Sequence, residues 1–252
     1  MLTAHGVTHP GKVRKTNEDG FLVEPSLGLF IVADGMGGHN AGEVASALAL
    51  DAIRGFLARS AEGRDFTWPY GIDPRLSFHG NRLMTAVKLA NRRVFKAGES
   101  RDDYAGLGTT IVAALIEDGQ LAYTGVGDSR IYVLAAGTLD QITVDDSWAA
   151  TVAPGEGAAA SNSMRHVLTN AIGARDEIDM EVNERALAAG DTLLFCSDGL
   201  HGALDADAIA RELGSSDPVA TIADELVRQA LEKDGGDNIT ALVLRWTGEG
   251  AP

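Results

Sequence analysis

Apolar residues fall into short uninterrupted blocks, of which Leu29-Phe30-Ile31-Val32-Ala33 and Thr192-Leu193-Leu194-Phe195-Cys196 are the clearest. Blocks of this length, rich in β-branched and aromatic side chains and bounded by turn residues, predict strands. Strands are expected over residues 20–23, 28–33, 108–116, 120–126, 129–134, 177–183, 191–196 and 238–246. An Asp-Gly step in Glu117-Asp118-Gly119 favours a hairpin between the third and fourth of these. A second hairpin is expected around Ala135-Ala136-Gly137. Elsewhere the apolar period changes to three or four. Leu83, Val87, Ala90 and Val94 mark one face of a helix over residues 81–96, and helices are also expected over 41–59, 206–213 and 218–233.

The order is strands, two helices, more strands, then a late helix pair and a last strand. A parallel sheet needs regular β-α alternation, so an α+β fold of mainly antiparallel sheets covered by helices is expected instead. At 252 residues, one domain over 1–247 with a short tail over 248–252 is the expected organisation. Two stretches read as irregular. Residues 61–79 are rich in Gly, Pro and aromatics, and residues 145–164 are rich in Gly, Ala and Ser, with the weak apolar anchoring of a surface flap.

Charge narrows the function. With 21 basic against 36 acidic residues, the formal charge of −15 argues against a nucleic-acid surface and for cations as intermediaries in any phosphate chemistry. The lone cysteine, Cys196, sits inside an apolar block and reads as a small core residue. The start of the chain lacks the basic and apolar regions of a signal peptide. No apolar run is long enough to cross a bilayer, so a cytoplasmic chain without a membrane span is expected.

Four aspartates share one setting, each beside an apolar strand and a glycine. Val32-Ala33 leads to Asp34-Gly35-Met36-Gly37-Gly38, and Val126 leads to Gly127-Asp128-Ser129. Phe195-Cys196 leads to Ser197-Asp198-Gly199, and Gly236-Asp237-Asn238 opens the last strand. Any one could be an ordinary turn. Together they point short carboxylates from rigid strand ends into a shared acidic site, whose hard oxygen donors suit Mg²⁺ or Mn²⁺. Near the N-terminus, Arg14 precedes Asn17-Glu18-Asp19. Its guanidinium fork could hold phosphate or pair with neighbouring acids.

Taken in order, Arg14-x-x-Asn17-Glu18-Asp19, Asp34-Gly35-Met36-Gly37-Gly38-His39, Gly108-Thr109-Thr110, Gly127-Asp128-Ser129-Arg130, Ser197-Asp198-Gly199-Leu200 and Asp237-Asn238 resemble the metal-dependent protein phosphatases of type 2C, in their bacterial form. The resemblance implies a four-layer α-β-β-α sandwich of two antiparallel sheets flanked by helices. It further implies a serine/threonine phosphoprotein phosphatase in which a water bridging two Mn²⁺ or Mg²⁺ ions attacks the phosphomonoester without a phosphoenzyme intermediate. By the same resemblance Asp34 bridges the ions and the Gly35 carbonyl binds one of them. Asp198 and Asp237 complete the other shell, Asp19 and Glu18 act through bound waters, and Asp128 joins Asp198 at a third, weaker ion. Arg14 would hold the substrate phosphate.

Relatives with Asp-Gly-His carry a histidine where Met36 stands here; His39 is the nearby candidate for the leaving-group proton or a substrate contact, and a surface histidine without a role is the other reading. Residues 145–164 lie where relatives carry a flap beside the site. The expected partners are phosphorylated Ser/Thr proteins, including a eukaryotic-like Ser/Thr kinase and its substrates, met by a monomer. A non-catalytic relative would have lost metal ligands that are present here. A nucleotide-type phosphoesterase would need stacking aromatics such as Trp68, Tyr70 and Trp148.

Overall fold

Alternate residues of the central strands bury on opposite faces, and that alternation sets the layering of the molecule. The computed structural model describes residues 1–38, 41–61, 67–104, 106–148 and 167–248. In chain order its elements begin with β1 (Leu2–His9), β2 (Asp19–Glu24), β3 (Leu29–Met36), α1 (Ala41–Ala61) and α2 (Phe78–Glu99). There follow β4 (Gly108–Thr109), β5 (Ile111–Glu117), β6 (Gln120–Val126), β7 (Arg130–Ala135), β8 (Thr138–Gln141) and β9 (Asn183–Ala186). The chain closes with β10 (Thr192–Cys196), α3 (Asp198–His201), α4 (Ala206–Leu213), α5 (Val219–Lys233) and β11 (Ile239–Trp246).

One sheet has the strand order β1-β11-β10-β7-β8, the other β2-β3-β5-β6-β9 with β4 added beside β3, and every described pairing is antiparallel. On β3, Leu29, Ile31 and Ala33 face α1 and α2, whereas Phe30 and Val32 face the opposite sheet. On β10 and β11, Leu194, Cys196, Ala241 and Val243 meet α4 and α5, and Leu193, Phe195, Leu242 and Leu244 turn inward. The inward sets interlock as the central core. The result is the expected α+β sandwich of four layers, two sheets between two helix layers. Cys196 is buried and free, and burial pushes its thiol up to about 12.

Both hairpins form as expected. Asp118 and Gly119 both have positive φ, as do Ala136 and Gly137, and such a pair of left-handed residues matches the twist of the flanking strands. Other boundaries differ for identifiable reasons. Helix α2 starts before residue 81 because Ser77 caps it, accepting from Gly80 N at 3.1 Å. Asn81 lies inside the first turn and donates to the Asp73, Leu76 and Ser77 carbonyls. The strand expected over 108–116 breaks at Thr110, whose N–H turns to the Asp34 carbonyl at 2.8 Å. Residues 177–182 are not a strand. Ile178, Met180 and Val182 alternate and pack on the helix-side core, but Thr124 Oγ1 donates to the Glu181 carbonyl at 2.6 Å, and pairing with β6 begins only at Asn183. Strand β1 carries no clear signal in the sequence because Thr, His and Gly interrupt its apolar positions; it lies at the edge of its sheet, against β11.

Candidate metal centre

The carboxylates reach one cleft from both sheets, and the expected strand-end setting holds for Asp128, Asp198 and Asp237 but not for Asp34. Asp34 and Gly35 lie within β3, not after it. Asp198 opens α3 behind its N-cap residue Ser197, where a helix N-terminus favours negative charge. Asp128 sits in the β6–β7 turn beside Gly127, whose positive φ needs glycine. Asp237 precedes β11 by two residues. Asp34, Asp128, Asp198 and Asp237 line a cleft of about 540 Å³ with Arg14, Glu18 and Gly35. Asp19 is the register partner of Asp34 across β2 and β3. Like charges placed directly opposite destabilise a sheet unless something intervenes.

A layer of hydroxyls and amides fixes these acids. Asp19 Oδ2 accepts from Ser197 Oγ at 2.7 Å and from Thr240 Oγ1 at 2.6 Å, joining both sheets through one carboxylate. The Asp34 backbone is gripped by the Gly108-Thr109-Thr110 segment: its N–H donates to Thr110 Oγ1 at 3.0 Å, and its carbonyl accepts from Thr109 Oγ1 at 2.9 Å. Thr110 Oγ1 also bonds Ser129 Oγ at 2.7 Å, coupling the Asp34 strand to the Asp128 turn. Asn238 staples the N-terminal loop, accepting from Glu18 N at 2.8 Å and donating to the Pro10 and Thr16 carbonyls. Gly35 is required sterically, since a Cβ there would stand 2.1 Å from the Gly42 carbonyl oxygen at the start of α1. Ser197, Thr240, Ser129 and Asn170, which donates to Asp146 Oδ2 at 3.0 Å, were not singled out as site residues from the sequence. Single hydroxyls and amides carry no periodic signal, and only Ser129 and Ser197 could have been found, as the neighbours of Asp128 and Asp198.

Burial, and then crowding, raises the acids. Burial first, then the charges of Asp19, Asp198, Asp128 and Asp237, hold the Asp34 carboxyl well above the usual carboxylate range. Burial lifts Asp19 to about 6 against the opposing effect of its two hydroxyl donors. Burial and then Asp198 and Asp145 lift Asp128 to about 7, and burial raises Glu18. A cation bound among them would favour the charged carboxylates and oppose these shifts.

The residues fit a hard divalent ion. Asp19 Oδ1 is buried and accepts no hydrogen bond among the described residues, a costly arrangement for an acceptor that has no cation or water partner. Among the described residues no three His, Cys, Asp or Glu groups stand close enough to hold an ion alone. Bound ions would therefore draw on the Gly35 carbonyl and water as well as carboxylates, as Mg²⁺ and Mn²⁺ do.

Arg14 is in the cleft, but its Nη2 donates to Asp237 Oδ2 at 2.8 Å, and this pairing raises its pKa. Met36 lines the cleft one residue beyond Gly35. His39 and residues 149–166, which hold most of the expected flap, lie outside the described residues. The flap's first residues are anchored: Asp145 receives two guanidinium nitrogens of Arg130, at 3.0 and 2.8 Å, and Asp146 Oδ2 accepts from Gly127 N at 3.1 Å.

Comparison with known proteins places this geometry. Residues 12–241 match the family described as protein phosphatase 2C. A serine/threonine phosphatase, stp, of Listeria welshimeri is 32% identical over 248 residues, covering 94% of this chain and 93% of the relative. The serine/threonine protein phosphatase PstP of Mycobacterium tuberculosis is 35% identical over 239 residues, covering 92% of this chain and 43% of PstP. A crystal structure of the PstP catalytic domain in complex with two manganese ions superposes with a TM-score of 0.80 at 32% identity, covering 97% of each chain.

Proposed function

The chain belongs to the protein phosphatase 2C family, and from that premise we propose how its cleft removes phosphate from phosphoserine and phosphothreonine. It is a metal-dependent protein-serine/threonine phosphatase that uses Mn²⁺ or Mg²⁺. The observation that carries the assignment of residues is the convergence of Glu18, Asp34, Asp128, Asp198 and Asp237 on one cleft, where burial and neighbouring like charges raise Asp34 and Asp128. Asp34 and the Gly35 carbonyl would hold two ions between them, Asp198 and Asp237 would complete one shell, and Asp19 and Glu18 would act through ordered water. Asp128, together with Asp198, would serve a third and weaker ion. Bound there, the ions supply activated water and offset the charge on the phosphoryl oxygens.

The protein's own groups then orient and release the substrate. When Asp237 turns to a cation, Arg14 loses its ion-pair partner and is free to grip the phosphate through its planar fork. The hydroxyls nearest the acids are engaged in hydrogen bonds: Ser197 and Thr240 donate to Asp19, while Thr110 accepts from Asp34 N and bonds Ser129. Transfer of the phosphoryl group straight to water, without a phosphoenzyme, fits that commitment. His39 is the candidate to protonate the leaving oxygen.

The flap over residues 145–164 would tune which phosphoproteins are accepted. Residues 1–247 would act as one domain and as a monomer, in the cytoplasm, on phosphoproteins that include a eukaryotic-like Ser/Thr kinase and its substrates. Among the described residues no helix is long and apolar enough to cross a membrane. The test is hydrolysis of a phosphothreonine peptide with Mn²⁺, with Mg²⁺ and with EDTA, beside Asp34→Asn. Metal-dependent turnover that the variant lacks supports the assignment. Full turnover in EDTA, or in the variant, refutes it.

A further inference from the structure

Charge is unevenly spread in this acidic chain. Residues 74–98 hold none of the 36 acids but six of the 21 basic residues, namely Arg75, Arg82, Lys88, Arg92, Arg93 and Lys96. Three of these have internal work. Arg75 pairs with Asp73, Arg82 is buried and donates to Ser60 Oγ and the Leu57 carbonyl, and Lys88 lies 5.7 Å over the Tyr70 ring. The other three, Arg92, Arg93 and Lys96 on the second half of α2, are exposed and have no ion-pair partner among the described residues. Arg92 and Lys96 stand at i and i+4, where like charges weaken a helix. Lys96 lies in the last turn, where a cation suits the helix C-terminus, but no ion pair among the described residues accounts for Arg92 and Arg93.

The stripe leads to the catalytic cleft. Phe95, one turn beyond Arg92 on α2, walls a side pocket of about 340 Å³ with Glu99, Tyr104, Leu107, Met36 and Ala174. Met36 and Ala174 also line the cleft, so the pocket opens from it. The Arg101 guanidinium stacks 4.9 Å over the Tyr104 ring and pairs with Asp103 at 3.7 Å.

We propose that this face docks an acidic flank of the phosphoprotein substrate, with Arg92, Arg93 and Lys96 meeting carboxylates or further phosphates that lie beyond the residue being hydrolysed. The inference rests on the phosphatase reading above. It commits to an acidic polypeptide because the face adjoins the cleft that must receive a phosphorylated polypeptide. A net charge of −15 steers an acidic segment away from the rest of the surface and toward this stripe.

The test compares kcat/KM of the Mn²⁺-loaded enzyme on three substrates: a phosphothreonine peptide flanked by aspartates, the same peptide with asparagines, and p-nitrophenyl phosphate. The variants are R92Q/R93Q/K96Q and the charge-reversed R92E/R93E/K96E. The wild type is expected to favour the aspartate peptide about tenfold, through KM, at low ionic strength, with the advantage fading in high salt. Both variants are expected to lose that preference while treating the neutral peptide and p-nitrophenyl phosphate as the wild type does. Equal wild-type rates on the two peptides, or a preference that persists in the variants, would overturn the proposal and leave the phosphatase reading intact. So would binding of the stripe to phosphatidylserine vesicles without any peptide preference. Failure on all three substrates would instead count against the phosphatase reading.

Discussion

Because of its buried acids, the metal-free protein is expected to lose stability as pH rises. A carboxyl whose pKa is raised by folding binds its proton more tightly in the folded chain than in the unfolded one. Below the unfolded pKa both states are protonated. Through the window up to the folded pKa the unfolded chain has released its proton, and above it the folded chain must carry a buried charge. Asp19 goes from 3.8 to about 6 and Asp128 from 3.8 to about 7. At about 1.4 kcal/mol per pH unit these correspond to about 3 and about 4 kcal/mol of lost stability at neutral pH. Both groups feel Asp198, so the sum is an upper bound. It is still a large part of the roughly 5–15 kcal/mol typical of a domain. In a chain of this size it corresponds to a fall in Tm of about 10–20 °C. Thermal unfolding in EDTA at pH 5 and pH 8 reads the part of it that lies above pH 5, about 4 kcal/mol at most, because about one pH unit of the Asp19 window and two of the Asp128 window remain there. The fall is expected to shrink in Asp128→Asn, which separates it from general surface repulsion, and Mn²⁺ is expected to raise Tm far more at pH 8 than at pH 5. A metal-free Tm that is the same or higher at pH 8, or an unchanged slope in Asp128→Asn, would refute the reasoning.

Asp34→Asn is expected to lower metal-dependent turnover by on the order of 10³-fold, and isothermal titration should show weakened Mn²⁺ binding in the same variant. Arg14→Ala, which removes a half-exposed ion pair, should change stability by less than about 1 kcal/mol while raising KM for phosphopeptide; an unchanged KM would remove Arg14 from the phosphate site. Gly35→Ala places a methyl group against the Gly42 and Glu18 carbonyls, at 2.1 and 2.7 Å. A loss of about 1–3 kcal/mol is expected, readable by urea denaturation. Ser197→Ala strips the buried Asp19 of a donor and Thr240 N of an acceptor, and should cost about 1–3 kcal/mol by the same assay.

Local pattern determined much of the architecture. The blocks at 29–33 and 192–196 are apolar at nearly every position because both faces of their strands are covered, and a reader of the chain sees that directly. The Asp-Gly hairpin, the helical face of Leu83, Val87, Ala90 and Val94, and the glycines beside Asp34, Asp128 and Asp198 are legible for the same reason, since each depends on residues a few positions apart. Where local signals misled, a tertiary partner had replaced the expected one. Thr124 captured the Glu181 carbonyl and ended the ladder before residue 183, and Asp34 drew the Thr110 N–H out of its strand.

The composition of the site could be read from motifs, but its electrostatics could not. Asp19 bonds Ser197 and Thr240 across separations of 178 and 221 residues, and Arg14 reaches Asp237 across 223. Whether an acid is solvated or buried beside four others depends on those distant partners. Repulsion and desolvation act through space, while periodicity acts along the chain. The sequence alone therefore named the carboxylates, and only the folded arrangement decided that they crowd one cleft and repel each other there.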